Sequence, residues 1–249
     1  MSPCVRLPQA PGLNLHKSYV KFRRVTSRLK IYQFAHSPFC IAVTQAVRSV
    51  GIEPELVDVS NADRFAIVRL TGGAYYQVPV LADGERVVYE SGSDSQDIAT
   101  YLDKHYLNGR LFPAHTRGWQ MIVNRYLENE VENVTFKVCD AALVPAIADV
   151  VERTLIVRHK ERKFGPGCIE RWVQERGNLI AEATRLLCPF EQTLAHGGPF
   201  LFGTAPVYSD FLLFGILENF IFHDAAPFPA DLPALRAWHD RLASYRYPV

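Results

Sequence analysis

Residues 29–50 read LKIYQFAHSPFCIAVTQAVRSV and predict a strand, a tight turn and an amphipathic helix. The segment over residues 30–34 is short and apolar enough to form a strand, and Pro38 suits the first turn of a helix. The apolar residues that follow recur at helical spacing: Phe39, Val43, Ala46, Val47 and Val50. The hydroxyl of Ser37 is thereby placed at a helix N-terminus, where unpaired backbone N–H groups and the helix dipole favour negative charge.

The chain after this unit continues to alternate strands and helices. Strands are predicted at residues 55–59, 78–81 and 86–89, and helices at residues 62–70 and from Glu90-Ser91 onward. Asp83-Gly84, between the last two strands, is a typical hairpin turn. The order βαβαββα predicts an α/β domain whose sheet is first parallel and then antiparallel.

From Trp119 onward the apolar residues follow only helical spacing. Three stripes carry this signal: Trp119, Ile122, Val123, Tyr126, Glu130 and Val134; Leu143, Ile147, Val150 and Val151; and Ile169, Trp172, Val173, Ile180, Ala183 and Leu187. We therefore predict an N-terminal arm over residues 1–28, an α/β domain over residues 29–107 and an all-helical domain over residues 112–249.

The charge balance argues against nucleic acid and membrane partners. The 249 residues carry 27 Lys and Arg against 26 Asp and Glu, so the chain has no strong global field and a small molecule is the expected partner. The basic run at residues 158–163 is interpreted as a solvated helix end, because no wider basic patch accompanies it. The apolar run at residues 211–222 is too short to span a bilayer and predicts a buried core helix.

Five cysteines stand far apart in the sequence: Cys4, Cys40, Cys139, Cys168 and Cys188. Their odd number and their spacing fit neither a disulfide framework nor a metal site, so no metal is expected. Free thiols are typical of a reducing compartment, which indicates a cytoplasmic protein.

Three short motifs follow one another in a fixed order around the predicted sheet. Ser37-Pro38-Phe39-Cys40 opens the first helix, Val78-Pro79 precedes the third strand and Glu90-Ser91 stands at the last helix of the domain. In this order and spacing the chain resembles the glutathione transferase family over about residues 29–249. The resemblance implies a thioredoxin-like domain followed by an all-α domain, glutathione as co-substrate, a homodimer and a role in detoxification.

Ser37-Pro38-Phe39 resembles the active-site motif of the serine-type transferases, the tau class in particular, whose serine hydrogen-bonds the sulfur of glutathione. Lowering a thiol pKa by about two units requires roughly 2.7 kcal/mol of preferential anion stabilisation. A hydrogen bond to a charged group contributes about 1.5 to 3 kcal/mol, so one well-placed hydroxyl is sufficient. The alternative is that Ser37 is only an N-cap.

Cys40 stands where a thioredoxin-type motif has its second cysteine, with Ser37 in place of the first. Dithiol exchange requires an attacking and a resolving thiol, so this chemistry is not expected. A thiol at a helix N-terminus can still have a lowered pKa. Cys40 is therefore either a secondary reactive thiol or a small buried residue.

The other two motifs are interpreted through the resemblance. Val78-Pro79 resembles the family's cis-proline, whose preceding residue offers its backbone to the cysteinyl part of glutathione, and Gln77 lies beside it. Glu90-Ser91 matches the acid-serine pair that holds the γ-glutamyl end, although Ser91 can also be an N-cap with Asp94 completing a capping box. A basic group is expected at the glycyl carboxylate, and the sequence does not decide between Arg64 and Arg69.

The second substrate is expected to bind between Phe39 and the first long helix of the all-helical domain, with Tyr126 and Asn133 as candidates. The sequence thus predicts a glutathione transferase that activates the thiol of glutathione for attack on a small, apolar electrophile in an open cleft. Two alternatives stay open. One is a glutathione-dependent thiol reductase, peroxidase or isomerase on the same fold, and the other is a non-catalytic protein that binds glutathione or other ligands.

Overall fold

A computed structural model describes residues 29–92 and 96–248. The predicted arm over residues 1–28 lies outside these ranges. The N-terminal elements are β1 (Leu29–Gln33), α1 (Pro38–Arg48), β2 (Glu55–Asp58), α2 (Phe65–Leu70), β3 (Val80–Asp83), β4 (Arg86–Val88) and α3 (Asp97–Leu102). A π-helical turn, Asp103–Leu107, extends α3. The predicted order βαβαββα is confirmed.

The four strands form one mixed sheet with the order β2-β1-β3-β4. β1 pairs in parallel with β2 and antiparallel with β3, and β3 forms a hairpin with β4. Leu29 and Ile31 of β1 are buried, so the central strand is covered by core residues. The thioredoxin-like topology predicted from the motifs is confirmed.

Among the described residues of the second half the regular elements are helices, apart from an isolated β-bridge between Phe200 and Gly203. Its elements are α4 (Arg117–Tyr126), α5 (Glu132–Ala146), α6 (Val150–Phe164), α7 (Cys168–Gln174), α8 (Arg176–His196), α9 (Tyr208–Phe220) and α10 (Pro233–Ala243). A π-helical turn, Leu127–Val131, joins α4 to α5. Within residues 29–92 and 96–248, no helix is both long and apolar enough to cross a bilayer.

Helix α9 is the centre of the helical half and supports α1. It is buried along almost its whole length, which confirms the core helix predicted from its apolar run. A Cβ at Gly215 would lie 2.0 Å from the Pro38 carbonyl oxygen, so only glycine allows this close approach to the first turn of α1. The Asn219 amide donates to the His36 carbonyl oxygen at 2.7 Å. Helix α9 thus holds the turn that carries Ser37.

The N-terminus of α9 contains a buried carboxylate. Asp210 accepts hydrogen bonds from the backbone N–H groups of Leu201 and Val207 and from the Trp238 indole. Burial nevertheless raises the pKa of Asp210 to about 6. Because Val207 has no polar side chain, only the aspartate half of a capping box is formed here.

The stripe predicted on α4 is wrong in phase. Trp119 and Ile122 are exposed, whereas Gln120 and Asn124 are buried. The buried polar groups are satisfied, because the Gln120 amide donates to the Leu111 carbonyl and Asn124 accepts from the Ser209 hydroxyl. Hydrogen bonding within the core has overridden the apolar period.

The second predicted stripe is divided between two helices. α5 ends at Ala146, one residue after Pro145, and α6 begins at Val150. The Asp149 carboxylate caps α6 by accepting from the backbone nitrogens of Val151 and Glu152 at 2.8 and 3.0 Å. No residue of α6 is fully buried, so this helix lies on the surface with one side toward α5 and α7.

Candidate functional site

The turn between β1 and α1 holds the side chain of Ser37 at the start of the helix. Ser37 is extended (φ −69°, ψ 123°), and its side-chain oxygen accepts from the Cys40 backbone nitrogen at 3.4 Å. Its backbone oxygen accepts the first helical hydrogen bond, from the Ile41 nitrogen at 3.0 Å. A serine hydroxyl that accepts one bond can still donate its hydrogen to an anion. The N-cap interpretation and an anion-binding role are therefore compatible.

Ser37 lies at the edge of a cleft of about 500 Å³ between the two halves of the chain. Most of the residues that line it come from four stretches of the chain. They are Phe34, His36, Ser37, Pro38 and Phe39 at the start of α1; Asn61, Ala62, Arg64, Tyr76, Gln77 and Val78 on either side of α2; Glu132, Phe136, Asp140, Leu143 and Val144 on α5 with Ile147 just after it; and Leu155, Ile156, His159, Lys160, Arg162, Lys163 and Phe164 on α6. Asn219 of α9 completes the lining. The cleft thus joins a polar end near Ser37 to a largely apolar wall.

Cys40 lies inside the core rather than in the cleft. Its side chain is fully buried, and this burial raises the pKa of the thiol to about 12. A hydrogen bond with Ser37 acts in the opposite direction but is the smaller effect. A thiol with so high a pKa is a poor nucleophile at neutral pH.

Val78-Pro79 contains a cis peptide bond, as the motif predicts. Val78 and Gln77 line the cleft together with Ser37, while Pro79 is buried directly behind them. The cis bond precedes β3, which pairs with β1 next to the turn at Ser37. The structure therefore brings the first two predicted motifs to one end of the cleft.

Glu90-Ser91 does not open α3, so the prediction that Ser91 caps the helix is wrong. The helix begins at Asp97, and its first N–H groups are taken by the Glu90 carboxylate, which accepts from the nitrogens of Asp97 at 2.8 Å and Ile98 at 3.3 Å. In return the Ser91 nitrogen donates to the Asp97 carboxylate at 2.8 Å. Neither Glu90 nor Ser91 is among the residues that line the cleft.

The sequence holds a second acid-serine pair, four residues after the first. Asp94-Ser95 directly precedes Gln96, the residue before α3, but residues 93–95 lie outside the described ranges. The signal that distinguishes the two pairs is their distance from α3. Asp94-Ser95 lies next to the helix in the sequence, whereas Glu90-Ser91 lies four residues further away.

Arg64 is the basic residue that the sequence could not assign. Its guanidinium carbon lies 4.1 Å from the centre of the Phe34 ring, and the side chain lines the cleft. Its Nη1 is buried without a hydrogen-bond partner among the residues that the structure describes. Burial lowers the pKa of Arg64, yet a guanidinium stays charged at neutral pH. Arg69 is exposed and does not line the cleft.

Aromatic residues form the far wall of the cleft. The rings of Phe136 and Phe164 are 5.4 Å apart, and the Trp172 indole packs edge-on behind both of them at 5.6 and 5.3 Å. Lys160 forms an ion pair with the buried Asp140 at 2.5 Å. Most of the basic run at residues 158–163 is exposed, as expected for a solvated helix end, and four of its residues also line the cleft: His159, Lys160, Arg162 and Lys163.

Three titratable groups in the cleft are perturbed mainly by burial. Burial raises the pKa of Glu132 to about 7, although Lys160 and Lys163 oppose the change. Burial also lowers the pKa of His36 and of His159, so both imidazoles are neutral near pH 7. His36 stacks parallel to Phe34 with a centroid distance of 5.6 Å, as part of the aromatic floor beside Ser37.

Two of the residues proposed for the second substrate do not reach this cleft. The Tyr126 hydroxyl donates to the Leu186 carbonyl at 2.9 Å, and its ring packs on Phe190 in the helical core. Asn133 is exposed on α5 and points away from the lining. Phe39 does line the cleft, next to Ser37. Within residues 29–92 and 96–248, no group of three or more His, Cys, Asp or Glu side chains could hold a metal ion.

Comparison with known families agrees with the fold. The glutathione S-transferase N-terminal domain matches residues 31–109, and the glutathione S-transferase C-terminal domain matches residues 174–246. The two ranges together cover more than half of the chain. The chain belongs to the glutathione S-transferase family. These two matches identify the family and not the serine-type subclass that the Ser37 motif suggests. Comparison with curated proteins gives no match.

Solved structures resemble this glutathione S-transferase family member over most of its length. Glutathione transferase GSTFuA3 from Phanerochaete chrysosporium has a TM-score of 0.70 and 18% identity, covering 89% of this chain and 98% of its own. Glutaredoxin 2 from Salmonella typhimurium, solved in complex with glutathione, has a TM-score of 0.67 and 20% identity, covering 88% and 95%. CsGST63524 from Ceriporiopsis subvermispora, also in complex with glutathione, has a TM-score of 0.67 and 18% identity, covering 87% and 93%. At these identities the similarity establishes the shared fold.

Proposed function

We propose that this chain is a glutathione transferase in which Ser37 stabilises the thiolate of bound glutathione. The observation that carries the proposal is that Ser37, at the N-terminus of α1, shares one cleft with Val78 of the cis peptide bond and with an apolar wall. The hydroxyl donates its hydrogen to the sulfur, and the helix N-terminus adds to the stabilisation of its negative charge. The thiolate then attacks an electrophilic carbon while the leaving group departs.

Arg64 is proposed to bind the glycyl carboxylate of glutathione. The buried Nη1 of its guanidinium is costly without a partner, and a carboxylate in the cleft would supply one with charge-assisted hydrogen bonds. The Phe34 ring below the guanidinium fixes its plane. Val78 is proposed to bind the cysteinyl part through its backbone, with Gln77 and Pro79 beside it.

The γ-glutamyl end needs a carboxylate for its ammonium group and a hydroxyl or backbone N–H groups for its own carboxylate. Glu90-Ser91 remain candidates for this role. However, the Glu90 carboxylate already accepts from two N–H groups of α3. The resemblance places the acid-serine pair at the start of this helix, so we favour Asp94-Ser95, the pair that immediately precedes Gln96 in the sequence.

A reductase or peroxidase that works through Cys40 is disfavoured. Such chemistry needs an accessible thiolate, and Cys40 is fully buried with its pKa raised to about 12. A glutathione-dependent isomerase and a protein that binds glutathione without turnover remain as alternatives, because the same cleft would serve for either.

We further propose a cytoplasmic homodimer. The described cysteines Cys40, Cys139, Cys168 and Cys188 are all free thiols, as expected in a reducing compartment. α4 exposes about two thirds of the side chains of Trp119, Met121 and Ile122 next to one another. Exposed apolar groups of this size are typical of surfaces that a second copy covers.

A calorimetric titration with glutathione, followed by a panel of aryl halides, peroxides and mixed disulfides, tests the function. The proposal expects glutathione binding and turnover of the aryl halides. Turnover of mixed disulfides alone would indicate a reductase instead. Binding without any turnover would favour the non-catalytic alternative, and failure to bind glutathione would refute both functions.

A further inference from the structure

The far half of the cleft is built by a segment that neither family match covers. The matched ranges are residues 31–109 and 174–246, whereas α5 and α6 lie between them. These two helices supply Phe136, Phe164 and three basic residues to the cleft.

The wall offers an apolar surface deep in the cleft. Phe136 and Phe164 pack together against Trp172, and Leu143, Val144 and Ile156 continue the apolar lining. An aromatic or aliphatic body gains free energy here by removing this surface from water. Phenyl edges also allow specific ring contacts with an aromatic ligand.

The same wall has an excess of positive charge. Lys160, Arg162 and Lys163 of α6 line the cleft. Lys160 is neutralised by Asp140 at 2.5 Å, but Arg162 and Lys163 form no ion pair among the described side chains. Lys163 instead lies over the Phe164 ring, with 5.3 Å between Nζ and the ring centroid.

The second acidic residue of this wall, Glu132, does not cancel the excess. Burial raises the pKa of Glu132 to about 7, so part of the population is uncharged at neutral pH. His159 is neutral, since burial and the neighbouring cations Lys160, Arg162 and Lys163 lower its pKa. The chain as a whole has a formal charge of only +1, so this local excess is not a general property of its surface.

We propose that the second substrate is an amphipathic organic acid: an aromatic or apolar body on Phe136 and Phe164, with a carboxylate at Arg162 and Lys163. This inference rests on the proposed function only in taking the cleft as the second-substrate site. The two cations lie on the exposed side of α6, so the carboxylate sits at the cleft mouth while the apolar body enters. The ionic contact selects the substrate, and burial of the body provides affinity.

The test compares biphenylcarboxylate with its neutral amide by calorimetric titration of the full chain saturated with glutathione, or of the chain alone if glutathione does not bind. The double variant Arg162→Gln/Lys163→Gln removes both cations. Arg158→Gln is the matched control, because Arg158 belongs to the same basic run but pairs with Glu161 and does not line the cleft. Thermal unfolding of each variant checks that the fold is retained.

The acid is expected to bind about fivefold to twentyfold more tightly than the amide, on the scale of two partly exposed ionic contacts. This preference should disappear in the double variant and persist in Arg158→Gln. Equal affinity for acid and amide, preference that survives the double variant, or no binding of either compound would overturn the inference.

Turnover separates this inference from the proposed function. A chloronitrobenzoate and its amide both accept a thiolate at the chlorine-bearing carbon, with chloride as the leaving group. Turnover of both without preference for the acid, after correction for their uncatalysed rates, contradicts the organic-acid inference and leaves the transferase intact. Selective binding of the acid without turnover contradicts the transferase and supports the organic-acid site.

Discussion

The Ser37 side-chain oxygen accepts a hydrogen bond from the Cys40 backbone nitrogen at 3.4 Å, so one helical turn joins a serine that lines the cleft to a cysteine that is buried in the core. The two residues that could carry the chemistry therefore have different environments. Ser37 is at the edge of the cleft, and the pKa of Cys40 is raised to about 12.

Ser37→Ala should lower the rate of conjugation by about 100-fold, the scale of a lost donor to a developing or bound anion. The unfolding free energy should fall by only about 1 kcal/mol, as for the loss of an N-cap side chain. Steady-state kinetics with an aryl halide, together with thermal unfolding, measure both effects. Cys40→Ala is the control and should retain most of the activity. The assignment fails if Ser37→Ala stays active while Cys40→Ala is inactive.

Arg64→Gln should raise the KM for glutathione about tenfold or more, because charged hydrogen bonds to the glycyl carboxylate contribute about 1.5 to 3 kcal/mol. The kcat should change little, since the contact is remote from the sulfur. Arg69→Gln is the matched control, because Arg69 lies on α2, the helix that Arg64 directly precedes, and is exposed outside the cleft. An unchanged KM in Arg64→Gln would assign the buried guanidinium to another role.

Glu90→Gln should lower the unfolding free energy by about 1 kcal/mol, because its carboxylate takes two N–H groups at the start of α3. The KM for glutathione should respond more strongly to Asp94→Asn/Ser95→Ala than to Glu90→Gln or Ser91→Ala. Glutathione kinetics and denaturant unfolding of the three variants distinguish a ligand contact from a cap. If the KM for glutathione rises only in the Glu90 and Ser91 variants, Glu90-Ser91 is the pair that binds the γ-glutamyl end.

Trp119→Asp/Ile122→Asp should convert a dimer to a monomer without unfolding it, since both side chains are exposed on α4. Light scattering should give about twice the chain mass of 28.1 kDa for the unmodified protein and the single mass for the variant. Val173→Asp is the control, because Val173 is an exposed apolar residue on a different helix. A monomeric unmodified protein would refute the dimer.

The fold could be predicted because short-range signals agreed with one another. The strand and turn signals around Ser37, Val78 and Gly84 determine local geometry directly, and all three lie where the sequence indicated. The helical half was harder to predict. Gln120 and Asn124 are buried because they find hydrogen-bond partners from elsewhere in the chain, and no period within α4 contains that information.

The cleft was predictable only at the end that holds Ser37 and Val78. Ser37 and Val78 are next to prolines that fix the backbone, so their positions follow from local sequence. The opposite wall depends on how α6 packs beside α5, and this arrangement places Lys160 and Lys163 along the cleft. Long-range packing of this kind leaves no pattern in the local sequence. The sequence therefore indicates Tyr126 as a pocket residue and not Phe136, whereas the structure places Phe136 in the cleft and Tyr126 in the core.

Glu132 gives a prediction about pH. Burial raises its pKa to about 7 in the folded chain, above the ordinary value of a glutamate, so the folded state binds its proton more tightly than the unfolded state does. This contribution to stability is complete at low pH and is lost as the pH rises toward and through 7.

Glu132→Gln should therefore unfold at about the same temperature as the unmodified protein at pH 5 and at a higher temperature at pH 8. The gain at pH 8 should be on the order of 2 kcal/mol, because it removes the cost of ionising a buried carboxyl. Thermal unfolding at the two pH values measures the difference. Asp210 also titrates in this range, but its contribution is the same in the variant and the unmodified protein when the two are compared at one pH. Glu130→Gln is the control, since Glu130 is exposed and lies only two residues before Glu132. If Glu132→Gln destabilises the protein equally at both pH values, Glu132 is ionised throughout and is held by the lysines of α6.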